Sequence, residues 1–189
     1  MSDQKLILDH IFDHEASQPD RVYLTQPLGA GAVADYTWGQ VLDQSRRMAA
    51  HLQGRGFARG ARIAILSKNC AHFFMAELAI WMAGGTTVAI FPTETADNVR
   101  YVLEHSEASL LFVGKLDIWP QQRSGVPAGL PCIALPLARR CAAAARCQAC
   151  PRTAGWPRCA QARSRRCRGL RWGRSPPWCS RPSRWPARP

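Results

Sequence analysis

Residues Arg62–Val113 read RIAILSKNCAHFFMAELAIWMAGGTTVAIFPTETADNVRYVLEHSEASLLFV. Arg62-Ile63-Ala64-Ile65-Leu66 is a short, continuous apolar run, the pattern of a strand buried on both faces. Ser67-Lys68-Asn69 is a turn, with Asn69 placed to cap a helix. Cys70 to Ala83 carries apolar residues (Phe73, Phe74, Met75, Leu78, Ala79, Trp81, Met82) nearly all round, which predicts a helix sandwiched between neighbours and ended by Gly84-Gly85. Thr86–Phe91 reads as the next strand, stopped by Pro92. Thr95 caps a helix with Val99, Val102, Leu103 and Ser106 in register, and Ser109–Val113 is a third strand stopped by Gly114. Strand, helix, strand, helix, strand implies parallel pairing with right-handed crossovers. The expected fold class is α/β: a partial doubly wound, mostly parallel sheet with flanking helices. At least three parallel strands are centred on Ile65, Ile90 and Leu111.

Towards the N-terminus, residues 4–14 predict a short helix with Leu8, Ile11 and Phe12 on one face, stopping before Ser17-Gln18-Pro19-Asp20. Val22–Thr25 and Ala32–Tyr36 predict a hairpin turned by Gly29 and Gly31. Gly29-Ala30-Gly31 joins strand to strand, so it is no nucleotide fingerprint. Thr37-Trp38-Gly39-Gln40 has capping-box form. The helix it opens carries Val41, Leu42, Ser45, Met48, Ala49 and Leu52 as one stripe, turns Gln44, Arg46, Arg47 and Gln53 away as a solvated face, and ends at Gly54 and Gly56.

Charge divides the chain of 189 residues into two parts. Residues 1–137 hold 11 Lys+Arg against 13 Asp+Glu, enough chain for one domain with a core. Residues 138–189 hold 14 Arg and no acid, and Leu170 is their only large aliphatic residue. The expected organisation is a domain over 1–137 and a disordered Arg/Pro/Cys/Trp-rich tail over 138–189. Three readings of the tail compete. An arginine-rich arm would offer guanidinium groups to nucleic-acid phosphates and Trp156, Trp172, Trp178 and Trp185 to bases. A metal or redox segment would use Cys147-Gln148-Ala149-Cys150, but no second pair stands at ligand spacing and no His follows. The third reading is translation out of frame: Arg, Ala, Pro, Gly, Cys, Trp and Ser have G+C-rich codons, and residues with only A+T-rich codons are missing. The abrupt loss of acids favours the third.

Chemistry in the first 137 residues is sparse. There is no G-x-x-x-x-G-K-[ST] loop, no H-E-x-x-H and no G-x-S-x-G. His10 and His14 share a helix face, but a third metal ligand is not evident and they read as a surface pair. Lys68 reads as a solvated turn lysine and Cys70 as a buried, inert thiol at a helix start. His105 and Glu107 stand at a helix end, where a charged imidazole suits the dipole. Lys5, Lys68 and Lys115 are the only lysines, and none lies in a glycine-rich loop. His72, Glu77 and Gly84-Gly85 interrupt residues 71–91, which excludes a membrane span there. Asp3 and Asp9 flank only three consecutive apolar residues, so no signal peptide is expected, and the expected location is cytoplasmic.

Several of these segments, taken in order, resemble the N-terminal region of adenylate-forming enzymes, AMP-forming fatty acyl-CoA synthetases above all. They are Ile63–Asn69, Ala79–Gly84, Val88 with Pro92, Tyr101–Ala108, Leu111–Gly114 and Val126–Pro131, together with Thr37-Trp38 ahead of an amphipathic helix. The resemblance covers about residues 5–137. Ala89 stands where that family usually has Pro, and Phe91 where Tyr or Asn is usual.

The resemblance implies a family that activates a carboxylic acid with ATP as an acyl-adenylate and passes the acyl group to coenzyme A. Fatty acid, ATP, magnesium and coenzyme A are then ligands of the full-length family. Its Ser/Thr/Gly-rich phosphate loop, its magnesium-binding glutamate and the lysine of its small C-terminal domain have no counterpart here. The expectation is therefore a truncated long-chain fatty acid–CoA ligase, inactive as this chain, with no catalytic, cofactor-binding or metal residue. The alternative is a non-catalytic α/β module with a basic nucleic-acid-binding tail.

Overall fold

The computed structural model describes residues 5–138. Helix α1 (Ile7–Ser17) precedes a hairpin of β1 (Val22–Gly29) and β2 (Ala32–Thr37), and helix α2 (Trp38–Gly54) follows. Then come β3 (Arg62–Leu66), α3 (Ala71–Met82), β4 (Thr86–Ile90), α4 (Ala96–His105) and β5 (Leu110–Val113). A short helix α5 (Trp119–Gln122), a 3₁₀ turn at Arg123–Gly125 and strand β6 (Cys132–Ala134) complete the described part. The readings made for 139–189, including Cys147 and Cys150, lie outside the described residues.

The main sheet runs β4-β3-β5-β6, every neighbouring pair parallel, with Ala64 of β3 opposite Val88 and Leu111. Side chains alternate across the strands, so each face feeds a separate core. Ile63, Ile65, Leu110, Phe112 and Ile133 meet α2 and α3 on one face. Ala64, Leu66, Ile90, Leu111 and Val113 meet Val99 and Leu103 of α4 on the other. Each large aliphatic buried in this way contributes about 1.5–3 kcal/mol against exposure. Helices on both faces of a parallel sheet make this the doubly wound arrangement expected from the strand–helix alternation. No helix among the described residues is long and apolar enough to cross a membrane.

The capping box forms as read: the Gln40 N–H donates to Thr37 Oγ1 at 3.3 Å, and the Thr37 N–H donates to Gln40 Oε1 at 3.0 Å. The buried stripe of α2 is Val41, Leu42, Ser45, Met48, Ala49 and Leu52. Thr95 Oγ1 likewise accepts from the Asn98 N–H.

Several expectations need correction. The first helix runs three residues later than 4–14, because the Asp9 carboxylate accepts the Leu6 N–H at 2.9 Å and fixes the start there. Asn69 does not cap α3. The residue before the helix is Cys70, and the Ala71 N–H is satisfied from β1, by Gln26 Oε1 at 2.9 Å. Phe91 lies beyond β4 and is 74% exposed, because the pairing with β3 ends at Leu66–Ile90. Phe74 is also partly exposed, at 38%. The polar face of α2 is not all solvated: Arg46 makes a two-pronged ion pair with Glu15 of α1, Nη1 lying 2.6 Å from Oε1, and its guanidinium lies over the Phe12 ring. Strand β6 carried no usable signal, since it is three residues between Pro131 and Pro136.

Candidate functional site

In an open α/β sheet a ligand is expected beyond the carboxyl ends of the strands, where successive connections leave in opposite directions. Here β3 leads through α3 to β4 on one side, and the chain then crosses to β5 on the other. The crevice therefore belongs between the ends of β3 and β5, formed by Ser67-Lys68-Asn69-Cys70 and Gly114-Lys115-Leu116-Asp117.

These two loops are joined to each other. The Gly114 N–H donates to Leu66 O and the Lys68 N–H to Lys115 O, both at 2.9 Å. The Lys115 N–H donates to Ser67 Oγ at 3.1 Å, and that hydroxyl donates to Lys68 O at 2.7 Å. Gly114 is required by this closeness: a Cβ there would lie 2.1 Å from Ser67 Oγ and 3.1 Å from a Leu135 methyl. The crevice is thus filled by Ser67, Gly114 and Leu135. Lys68 is paired with Asp117 at the surface, and Lys115 is exposed beside it. That exposed pair is worth about 0–1 kcal/mol.

A second concavity lies where the hairpin meets the start of α3. It is a shallow cleft of about 180 Å3 lined by Leu24, Thr25 and Pro27 of β1 and by Asn69, Cys70 and Phe74. Gln26 closes its floor by donating to Pro27 O at 2.8 Å while accepting from the Ala71 N–H. Cys70 is buried here as a free thiol. Beside it His72 is buried, edge-on to Tyr36 with ring centroids 5.6 Å apart. Burial holds His72 down to about 4, so the imidazole is neutral at pH 7. Burial, with Cys70 nearby, pushes the Tyr36 hydroxyl up. Neutral groups around a mainly apolar cleft bring no charge to a phosphate.

The remaining singled-out residues do not converge. His14 stacks on Trp38 at 5.0 Å, with Tyr23 stacked on the same indole at 3.7 Å, and His10 is exposed. His105 stacks on Tyr101 at 5.4 Å, and Glu107 pairs with Arg62. Among the described residues no group of three or more His, Cys, Asp or Glu side chains could hold a metal ion. Two buried polar residues escaped the sequence reading. Gln26 sits in an exposed hairpin between Thr25 and Pro27 without any motif around it. Gln122 donates to Pro92 O at 3.0 Å and Glu94 O at 2.9 Å, tying α5 to the loop after β4.

The profile of the family described as AMP-binding enzyme matches residues 11–155. Long-chain-fatty-acid–CoA ligase FadD15 of Mycobacterium bovis is 36% identical over 102 residues, which is 54% of this chain and 17% of that protein. The chain thus spans about a sixth of the length of this curated relative. The solved structure of VinN with L-aspartate superposes with a TM-score of 0.59 at 21% identity, covering 69% of this chain and 32% of that one. A fatty acyl-adenylate ligase from L. pneumophila superposes at 0.51 and 21% identity, covering 56% and 19%. At these identities the two structures speak for the fold.

Proposed function

The chain belongs to the AMP-binding enzyme family, and on that premise we propose that it supplies scaffold of an ATP-dependent fatty acid–CoA ligase and does not itself form an acyl-adenylate. The ligase reading is supported by the ordered set of segments between Ile63 and Gly114 and by the likeness to the Mycobacterium bovis ligase. The inactivity reading is carried by the filled crevice between β3 and β5. A carboxylate attacking the α-phosphate approaches another anion, so the reaction needs fixed cations and backbone donors around the triphosphate. At the carboxyl edge of this sheet the backbone donors of Gly114, Lys68 and Lys115 are already spent on Leu66, Lys115 and Ser67.

The test is fatty-acid-dependent exchange of labelled pyrophosphate into ATP by the soluble, folded chain. Exchange indistinguishable from a heat-denatured control is expected over a range of acyl chain lengths. Exchange above that control, abolished by Lys68→Ala or Lys115→Ala, would overturn the reading.

A further inference from the structure

The outer edge of β4 is unpaired among the described residues. Edge strands are normally guarded by charges, prolines, bulges or shortness. The other edge, β6, is three residues long and stands between Pro131 and Pro136. By contrast, Thr86–Phe91 reads TTVAIF: six residues of mostly high β-propensity with no charge, proline or glycine. That is the composition of a strand that pairs with another chain. We propose that this edge is a self-association site, through which two copies of the chain pair β4 to β4 in antiparallel fashion and form one continuous eight-stranded sheet from two four-stranded ones.

The backbone sets the register. The Thr86 N–H donates inward to Ala61 O at 2.9 Å. Alternation along the strand then directs the N–H and C=O groups of Thr87 and Ala89 outward, while just beyond the strand the Phe91 C=O also accepts the Glu94 N–H at 3.3 Å. An antiparallel pair exchanges both hydrogen bonds between residues opposite each other. With the two-fold axis at Ala89, Thr87 faces Phe91 of the second copy, and Ala89 faces its own equivalent. Pro92, which has no N–H, ends the pairing at both ends. Val88 and Ile90 then face each other on the α4 side. Exposed Ala89 leaves room at the axis, and the 74%-exposed Phe91 ring gains a neighbour in Thr87 of the second copy.

Charge favours the same arrangement. Arg59 packs over Gly84, its Cγ 3.6 Å from where a Cβ on that glycine would sit. The axis at Ala89 brings Gly84 level with Glu94 of the second copy, so the basic end of one edge meets the acidic end of the other. A parallel pairing would set like ends together. The contact is isologous and closes at two copies. It is also small, which places the association in the weak class.

Sedimentation velocity of the full chain over a hundred-fold concentration range tests this. The chain of 20.9 kDa is expected to convert to a species of twice that mass. Ala89→Lys, which puts a charge on the axis, is expected to raise the dissociation constant at least ten-fold while leaving the circular dichroism spectrum unchanged. Val33→Lys, at an exposed apolar residue of the hairpin, is expected to leave it unchanged. A photoreactive phenylalanine at 91 is expected to cross-link to the segment around Thr87 of the second copy. A wild-type chain that stays monomeric overturns the proposal. So does a dimer indifferent to Ala89→Lys, one equally weakened by Val33→Lys, or growth to open-ended species.

Discussion

Gln26 and His72 show how far a single residue's role depends on what folds against it. Gln26 is 5% exposed although it sits in a two-stranded hairpin, because its carboxamide serves as the cap of α3. Gln26→Ala removes the acceptor and leaves the Ala71 N–H buried. A loss of about 1–2 kcal/mol is expected, read as a lower urea midpoint with an unchanged slope. His72 has the opposite character, a titratable group whose charged form the core rejects. Its value of about 4 in the folded chain lies below the ordinary imidazole value of 6.5. Below about pH 6.5 the unfolded chain binds a proton that the folded chain does not, so stability falls as pH drops from about 6.5 towards 4. The loss approaches about 3 kcal/mol at the acid end of that window. Glu77, whose carboxyl burial pushes up, adds a slope of the other sign. The clean measurement is therefore the difference between wild type and His72→Leu in unfolding free energy at pH 7 and pH 4.5, expected to shrink or reverse at the lower pH.

At the level of elements, the ends are where local chemistry is most exposed. Helix α4 ends in a Schellman motif: the Ala108 N–H donates to Leu103 O and the Glu107 N–H to Glu104 O, both at 3.0 Å. The motif places Glu107 in the left-handed region at φ 49°, a conformation that costs a residue with a Cβ about 1 kcal/mol or more. Glu107→Gly also gives up the exposed pair with Arg62, which is worth little. A net gain of about 0.5–1 kcal/mol is expected, checked by the shift in urea midpoint. Most elements were legible from the periods alone. The strand β3 and the buried stripe of α2 coincide with the residues read from spacing, because both are governed by side chains a few positions apart. The cap of α3 is not legible in the sequence, because its acceptor comes from a residue 45 positions away. Strand β6 carries no signal, because three residues hold no period at all.

At the scale of the molecule, two cores form among the described residues. Every strand of the main sheet, α2, α3 and α4 contribute to one or the other. A chain ending at Ala138 is expected to keep the thermal midpoint and near-ultraviolet circular dichroism of the full chain, within about 2 °C. A fall of more than about 5 °C, equivalent to roughly 1 kcal/mol or more, would mean that residues 139–189 hold part of the fold together.

The sequence by itself determined the α/β class, the parallel pairing of β3, β4 and β5, and the family. Each of these follows from patterns repeated within a few residues or in consecutive segments. The tertiary structure decided where those elements leave space. Ser67 and Gly114 are unremarkable turn residues until β3 and β5 lie side by side. Their loops then bond to each other, and the crevice that the topology promises is filled by the Ser67 hydroxyl and the Leu135 side chain, in the space a Cβ on Gly114 would take. Distance in space between residues far apart in the chain is set by packing, and no local period encodes it.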